Sequence, residues 1–279
     1  MPNSASARPG RRPAARRLTT AAAREPRGAR RKRQTRSRLL QAALQLMAEK
    51  GMEGVAINEI TEAADVGFGS FYNHFKSKEA IHAALVDWVF EGFADAMDRL
   101  VSGISDPAEV ISVSVRRTLQ RARGEPVWGR FLMREGLSPR AMDRGLGRRL
   151  LRDMKRGIAA RRFTIVDPLM SFVAVGGIVL VAIAVQLQFG SPQARQAAAA
   201  EALGFDSDNI PERAAAAALQ TLGLGRREAE RIAYRPLPSG DWQGALAAFG
   251  GVPQDAAPLR SAEPRARRNR RGSQRGAPA

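Results

Sequence analysis

The chain has 279 residues, enough for one large or two ordinary domains. It lacks cysteine and has only two histidines, His74 and His82, which excludes a disulfide framework or thiolate metal site and leaves too few ligands for a protein-built zinc site. The net charge of +18 sits mostly at the ends: residues 1–33 hold eleven Arg/Lys against one acid and residues 241–279 seven against three, whereas residues 34–103 hold six against ten.

Residues 1–33 are rich in Arg, Ala and Pro and show no apolar period, so they read as a disordered basic arm suited to a polyanion such as DNA. They hold no apolar core of a secretory signal, and the expected location is cytoplasmic. The first helix is expected from about Gln34 to Lys50, with Leu40, Ala43, Leu44 and Met47 inward and Gly51 as its stop. Thr35, Arg36 and Arg38 lie in its first turn, where free N–H groups and side chains can meet a phosphate together; ordinary surface polarity explains them equally well.

Ala56 to Phe75, AINEITEAADVGFGSFYNHF, reads as two short helices joined by a tight turn at Asp65-Val66-Gly67. Asp tolerates and Gly freely accepts a left-handed backbone there. The second short helix, about Phe68 to Phe75, ends in Phe71, Tyr72, His74 and Phe75. A helix-turn-helix lays its second helix in the DNA major groove. Lys76-Ser77-Lys78-Glu79 then opens a fourth helix with Ser77 as N-cap, and Ile81, Leu85, Trp88, Phe93, Met97 and Leu100 carry its stripe to about Val101.

Beyond it, Asp106-Pro107 reads as a cap and first helical residue. Gly124-Glu125-Pro126 breaks that helix, Val127 to Glu135 gives a short one, and a longer one is expected over about Arg140 to Ala160. Residues 104–162 hold fifteen basic and six acidic side chains, read as solvated outer faces or as partners for an anionic ligand such as an acyl-CoA. Leu169 to Leu187, after Asp167-Pro168, is apolar except for Ser171 and Gln186. Its length permits a membrane span, but no second segment partners it, and a soluble dimer can bury one face in the subunit and the other against a partner. Gly176-Gly177 at mid-helix suits close backbone approach. Ile210 to about Leu222 is a second small-residue helix, Arg226 to Ala233 a short last one, and the chain then turns Pro-, Gly- and Arg-rich.

Residues 34–90 resemble the DNA-binding domain of the TetR/AcrR-type transcriptional regulators. The first helix ending at Gly51, the ITEAADVGFGSFYNHF run and KSKEAI carry the resemblance, and Phe71-Tyr72-x-His74-Phe75-x-x-Lys78 is its most specific part. The resemblance implies an all-α chain: a three-helix helix-turn-helix DNA-binding domain over 34–93 with its motif at 56–75, a helical ligand-binding and dimerisation domain over 94–235, and a disordered basic tail over 236–279. It implies that Tyr72, His74 and Lys78 hold phosphates. Phe68, Ser70 and Asn73 would face base edges, Gly69 would allow close approach, and Val66, Phe71 and Phe75 would pack the small core. Ser70 and Asn73 are the expected hydrogen-bonding readers and Phe68 a contact for a thymine methyl. Two positions depart from the family's common pattern. Gly67 and Ala56 replace side chains that often cap the two short helices, with Asn58 a partial substitute at the second.

The expected function is that of a ligand-responsive repressor binding a palindromic double-stranded operator as a homodimer. A small apolar or amphipathic ligand would sit among Trp128, Phe131, Met133, Met142, Met154 and Phe172, each of which also reads as plain core. Gly176, Gly177, Ala214, Ala217 and Ala218 are the expected dimer contacts. No cofactor, metal or membrane is expected, and no nucleophile–base pair or phosphate loop suggests an enzyme. The alternative is a non-sequence-specific nucleic-acid binder acting through its basic arms.

Overall fold

Ten helices and no strand occupy the residues that the computed structural model describes, 27–138, 144–189 and 208–239. The expected arm over 1–26 and the tail over 240–279 lie outside them.

Helix α1 (Arg27–Lys50) is already helical at the first described residue, seven ahead of the expected start, so residues 27–33 are helical rather than part of a disordered arm. The reason is local. Six of those seven residues are Arg, Lys or Ala, all strong helix formers, and the turns they make are solvent-exposed on every side, so no apolar period betrays them. From Leu39 on, α1 buries Leu39, Leu40, Ala43, Leu44 and Met47. Gly51 ends it in a left-handed conformation, φ 75°.

Helices α2 (Ile57–Ala63) and α3 (Phe68–Tyr72) pack with α1 and the start of α4 around Ile60, Phe71, Phe75 and Ile81. Between them the left-handed residue is Asp65, φ 51°, whereas Gly67 has ordinary extended angles and serves as the N-cap of α3 without a side-chain bond. The start of α2 is capped from Glu59, not Asn58: the Glu59 Oε2 accepts the Ala56 N–H at 2.9 Å. That bond also holds the Glu59 carboxyl below its ordinary pKa, with help from Lys50.

Helix α4 (Lys78–Val101) is capped as expected, its Ser77 Oγ accepting from Ala80 N at 3.2 Å. Its 24 residues span about 36 Å, long enough to leave the reading head and enter the second half of the molecule. There α5 (Pro107–Gly124) is the central helix, touching α4, α6 (Pro126–Glu135), α7 (Gly145–Ala159), α8 (Pro168–Phe189), α9 (Ile210–Thr221) and α10 (Arg226–Ala233). Asp106 caps it through Ala108 N at 2.9 Å.

Helix α7 begins at Gly145 rather than Arg140, and residues 139–143 lie outside the described part. Gly145 has φ 53°, and a Cβ there would sit 2.6 Å from the Cβ of Phe90, so only glycine lets the chain enter α7 this close to α4. Helix α8 is the one described helix long and apolar enough to cross a membrane. It buries Ser171, Val175 and Ile183 against α5, α6 and α9, while Leu169, Met170, Val173 and Val181 stay exposed. Of the small residues expected at a dimer interface, Ala218 is fully buried and Ala214 nearly so within their own subunit, because α9 lays that face on α5; Ala217 points outward.

Candidate nucleic-acid interface and ligand cavity

The sequence folds α3 so that one aromatic goes in and two stay out. Phe71 is fully buried against Phe75, ring centroids 5.8 Å apart. Phe68 and Tyr72 are about half exposed, at 53% and 51%, and brace each other edge to face at 5.6 Å. Gly69 and Asn73 are exposed and Ser70 is half-buried, so the expected base-reading residues form an open surface one helical turn long. No atom lies within 4 Å of where a Gly69 Cβ would stand, so glycine is not required there by internal packing.

Beside this surface α1 supplies charge. The Arg36 guanidinium lies 4.4 Å over the Phe75 ring. Partial burial and then the nearby charges of Lys32 and Arg36 push the His74 pKa below its ordinary value. Arg36 and His74 therefore share one patch, with Lys32 as a third member. Lys32 escaped the sequence reading because the helix was expected to begin at Gln34; its i, i+4 spacing from Arg36 in a run of helix formers is the signal that finds it.

The other expected DNA contacts lie on α1, α2 and the start of α4. Arg38 Nη1 donates to the Asp65 carbonyl at 3.3 Å and lies 3.7 Å from the Asp65 carboxylate, bracing the interhelical turn. Lys78 Nζ donates to the Glu53 carbonyl at 3.4 Å, on the turn before α2. Thr35 is half-buried on α1, and Asn58 is exposed on α2, its carbonyl accepting from Thr61 Oγ1 at 3.0 Å.

A cavity of about 260 Å³ opens between α4, α5, α6, α7 and α8. Phe90, Met97, Ile111, Leu146, Leu150 and Phe172 are among its apolar walls, and Asp98, Arg149, Arg152 and Asp153 form a charged end. The charged end is internally paired. Arg149 Nε donates to Asp98 Oδ2 at 2.7 Å and Arg152 Nη2 to Asp98 Oδ1 at 2.8 Å. Arg152 also holds both oxygens of the buried Asp153, at 2.9 and 3.1 Å. Burial raises the Asp98 pKa, but the bonds from Arg152 and Arg149 outweigh it and keep the carboxyl below its ordinary value. The pairing continues along the helices: Arg149 reaches Glu91 at 2.9 Å and also Asp95, and Arg144 reaches Asp87 at 3.1 Å.

The six residues expected to line a ligand site fare differently. Phe172 does line the cavity. Trp128, Phe131 and Met154 are fully buried core instead. Trp128 packs on Phe93 at 4.9 Å with the Arg121 guanidinium 4.6 Å over its ring, which fills the space a ligand would need. Met133 packs against the core away from the cavity, and Met142 lies outside the described residues. Of the α7 arginines, Arg148 and Arg156 are more than half exposed, as expected of a solvated face, whereas Arg149 and Arg152 are paired at the cavity. Arg144, Arg148, Arg149 and Arg152 meet an acidic row on α4, Asp87, Glu91, Asp95 and Asp98, at near-helical spacing in the sequence.

Residues 39–85 match the family of bacterial regulatory proteins described as the tetR family, and residues 106–235 match the tetracyclin repressor-like C-terminal domain. Curated proteins align over the reading head. The HTH-type transcriptional repressor DhaR of Mycobacterium sp. (strain GP1) is 40% identical over 75 residues, covering 27% of this chain and 36% of DhaR. The HTH-type transcriptional regulator TcmR of Streptomyces glaucescens is 32% identical over 91 residues, covering 33% and 40%. The chain thus spans less than half the length of these curated relatives. Among solved structures, RolR in complex with resorcinol is 34% identical, covers 75% of this chain and 98% of its own, and superposes with a TM-score of 0.54. RolR without ligand gives 33%, 72%, 98% and 0.53.

Proposed function

The chain belongs to the TetR family of bacterial regulatory proteins, and from that premise we propose that it is a cytoplasmic, ligand-responsive repressor that binds a palindromic operator as a homodimer. On the DNA side, the exposed face of α3 supports the assignment of Phe68, Ser70 and Asn73 to base edges, with Gly69 admitting the groove wall. Tyr72, His74 and Arg36 border that face and take phosphates, which set register rather than sequence.

The exposed stripe of α8 supports the dimer. Leu169, Met170, Val173 and Val181 make an exposed apolar face, and Val173, Gly176 and Gly177 on its edge also line the mouth of the cavity, so a partner seated there would close the cavity as well as bury the face.

The polar end of the cavity carries the ligand assignment. Two aspartates and two arginines cancel in charge, so a charged ligand gains nothing there that it does not lose by disrupting the pairs. A neutral hydroxyl gains both ways: it donates to a carboxylate lone pair and accepts from a guanidinium N–H. The remaining walls are apolar and the volume is small; a cavity of roughly 150 Å³ already admits benzene. The ligand class is therefore a single-ring hydroxylated aromatic, and the resorcinol bound by RolR is of this class. Binding favours one of two settings of the paired reading heads and so lowers operator affinity.

The test uses the full-length protein and an operator obtained by in vitro selection. Calorimetry with resorcinol, benzoate and benzene is expected to show binding only for resorcinol, which should also release the operator in a gel shift. Tighter binding of benzoate than of resorcinol overturns the ligand class. Equal affinity for operator and scrambled duplex overturns the repressor.

A further inference from the structure

The first two turns of α1 carry Arg27, Arg30, Arg31, Lys32 and Arg33, and the first turn contains no acid. Every residue from 27 to 34 is exposed, so these turns add nothing to the core. Five cations crowded into seven exposed residues repel one another and serve no packing, and such a departure from a mixed-charge surface marks a functional one. A polyanion laid along these turns relieves the repulsion.

Geometry says where that polyanion runs. Lys32 and Arg36 are one turn apart on α1, and Arg36 stacks on Phe75 at 4.4 Å, directly after the Tyr72 and His74 that border the reading face. The basic face of α1 therefore continues from the phosphate-binding edge of α3. The turns from Arg27 to Gln34 carry it roughly 10 Å further.

Building on the repressor reading above, we propose that residues 27–34 form a rigid basic strut that grips DNA backbone phosphates beyond those reached from α3. The strut acts through its helical form: cations fixed on a rod meet particular phosphates, whereas the same charges on a flexible chain meet any. It lengthens the operator without adding base specificity.

Fluorescence anisotropy with the full-length protein separates rod from chain. Two duplexes are compared, the selected operator with minimal flanks and the same operator with added random-sequence flanks, each over a range of salt. Each phosphate neutralised adds about 0.9 to the slope of log K against log salt. The wild type is expected to show a slope steeper by about 2 on the flanked duplex. Gln34→Pro breaks the helix while keeping every charge, and Gln34 is exposed, so no packing is lost. It is expected to abolish the flank-dependent increment, as is the charge-removing pair Arg31→Gln/Lys32→Gln, whereas Gln34→Ala keeps it. If Gln34→Pro retains the full increment, or if the charge-removing pair does, the strut is overturned. If no form prefers the operator to scrambled DNA, the repressor reading fails first, which is a different result from losing the flank dependence alone.

Discussion

Arg149 of α7 and Asp98 of α4 are joined by a 2.7 Å hydrogen bond at the wall of the cavity, and the same guanidinium reaches back along α4 to Asp95 and Glu91. Helix α4 therefore has the cavity near one end and the helix-turn-helix at the other, with one side chain of α7 fastening it at the cavity. Arg149→Met should remove three partners at once and leave a row of like charges on α4. The acids are a quarter to nearly half exposed, so the cost is discounted from that of a buried pair to about 2 kcal/mol. Thermal unfolding should shift down by about 4–8 °C, and resorcinol should no longer raise the transition temperature. A variant that keeps the ligand-induced shift would detach Arg149 from the site.

The same carboxylates set a pH dependence. Asp98 and Glu91 have folded pKa values below their ordinary ones, because bonds from Arg152 and Arg149, and from the Gly145 N–H and Arg149, outweigh burial. A depressed folded pKa contributes stability that is fully present above the unfolded value and is lost as pH falls through the folded one. Urea midpoints should therefore be flat from about pH 7 to 5 and fall below about pH 4. Asp98→Asn should be less stable at neutral pH and lose less on acidification. An equal acid loss in wild type and variant would move the effect to other carboxylates.

DNA binding should carry the opposite sign. Burial and then Lys32 and Arg36 depress the His74 pKa in the free protein. A phosphate beside the ring raises it, so binding takes up a proton. Operator affinity should then rise as pH falls from about 7.5 toward 6 and be lost as pH climbs through the bound-state value. His74→Gln should flatten that dependence while keeping a hydrogen bond to phosphate. A wild-type affinity independent of pH over this range would remove His74 from the contact.

How much of this was legible in the sequence depended on whether the signal was local. Caps are local, and Ser77, Asp106 and Gly51 stand where they were read. The aromatic signature is local too, and Phe71 and Phe75 are core as expected. The start of α1 was missed because an exposed, all-basic helix has propensity but no apolar period. The cavity was missed for another reason. Trp128 and Phe131 look like ligand walls by composition, yet whether a large side chain lines a void or fills it depends on facing residues such as Phe93 and Arg121, far away in sequence. The charged end was hidden because its members come from two helices. Each row is visible alone, but only packing shows that Asp98 meets Arg149 and Arg152.

The last prediction concerns how the two halves communicate. Arg134, near the end of α6, donates to the carbonyls of Ala48 at 2.9 Å and Glu49 at 2.6 Å, satisfying acceptors that α1 leaves unpaired at its C-terminus. Helix α6 also contributes Leu132 to the cavity wall, and Gly136 follows just past its end. The head is thus attached in two ways: by the continuation of α4, and by α6, which packs along α1, pairs Glu135 with His82 at 3.0 Å and clamps the end of α1 with Arg134. A ligand that shifts α6 relative to α4 must change the angle of the head, because the two attachments then disagree. Arg134→Ala loosens the second. Coupling between sites is typically worth about 5–150-fold in affinity. The ratio of operator Kd with and without resorcinol should fall by about fivefold or more in the variant, while resorcinol affinity measured without DNA stays within about twofold. Coupling is reciprocal, so the operator should lose its effect on resorcinol affinity by the same factor. A variant with the wild-type ratio would assign the whole signal to α4.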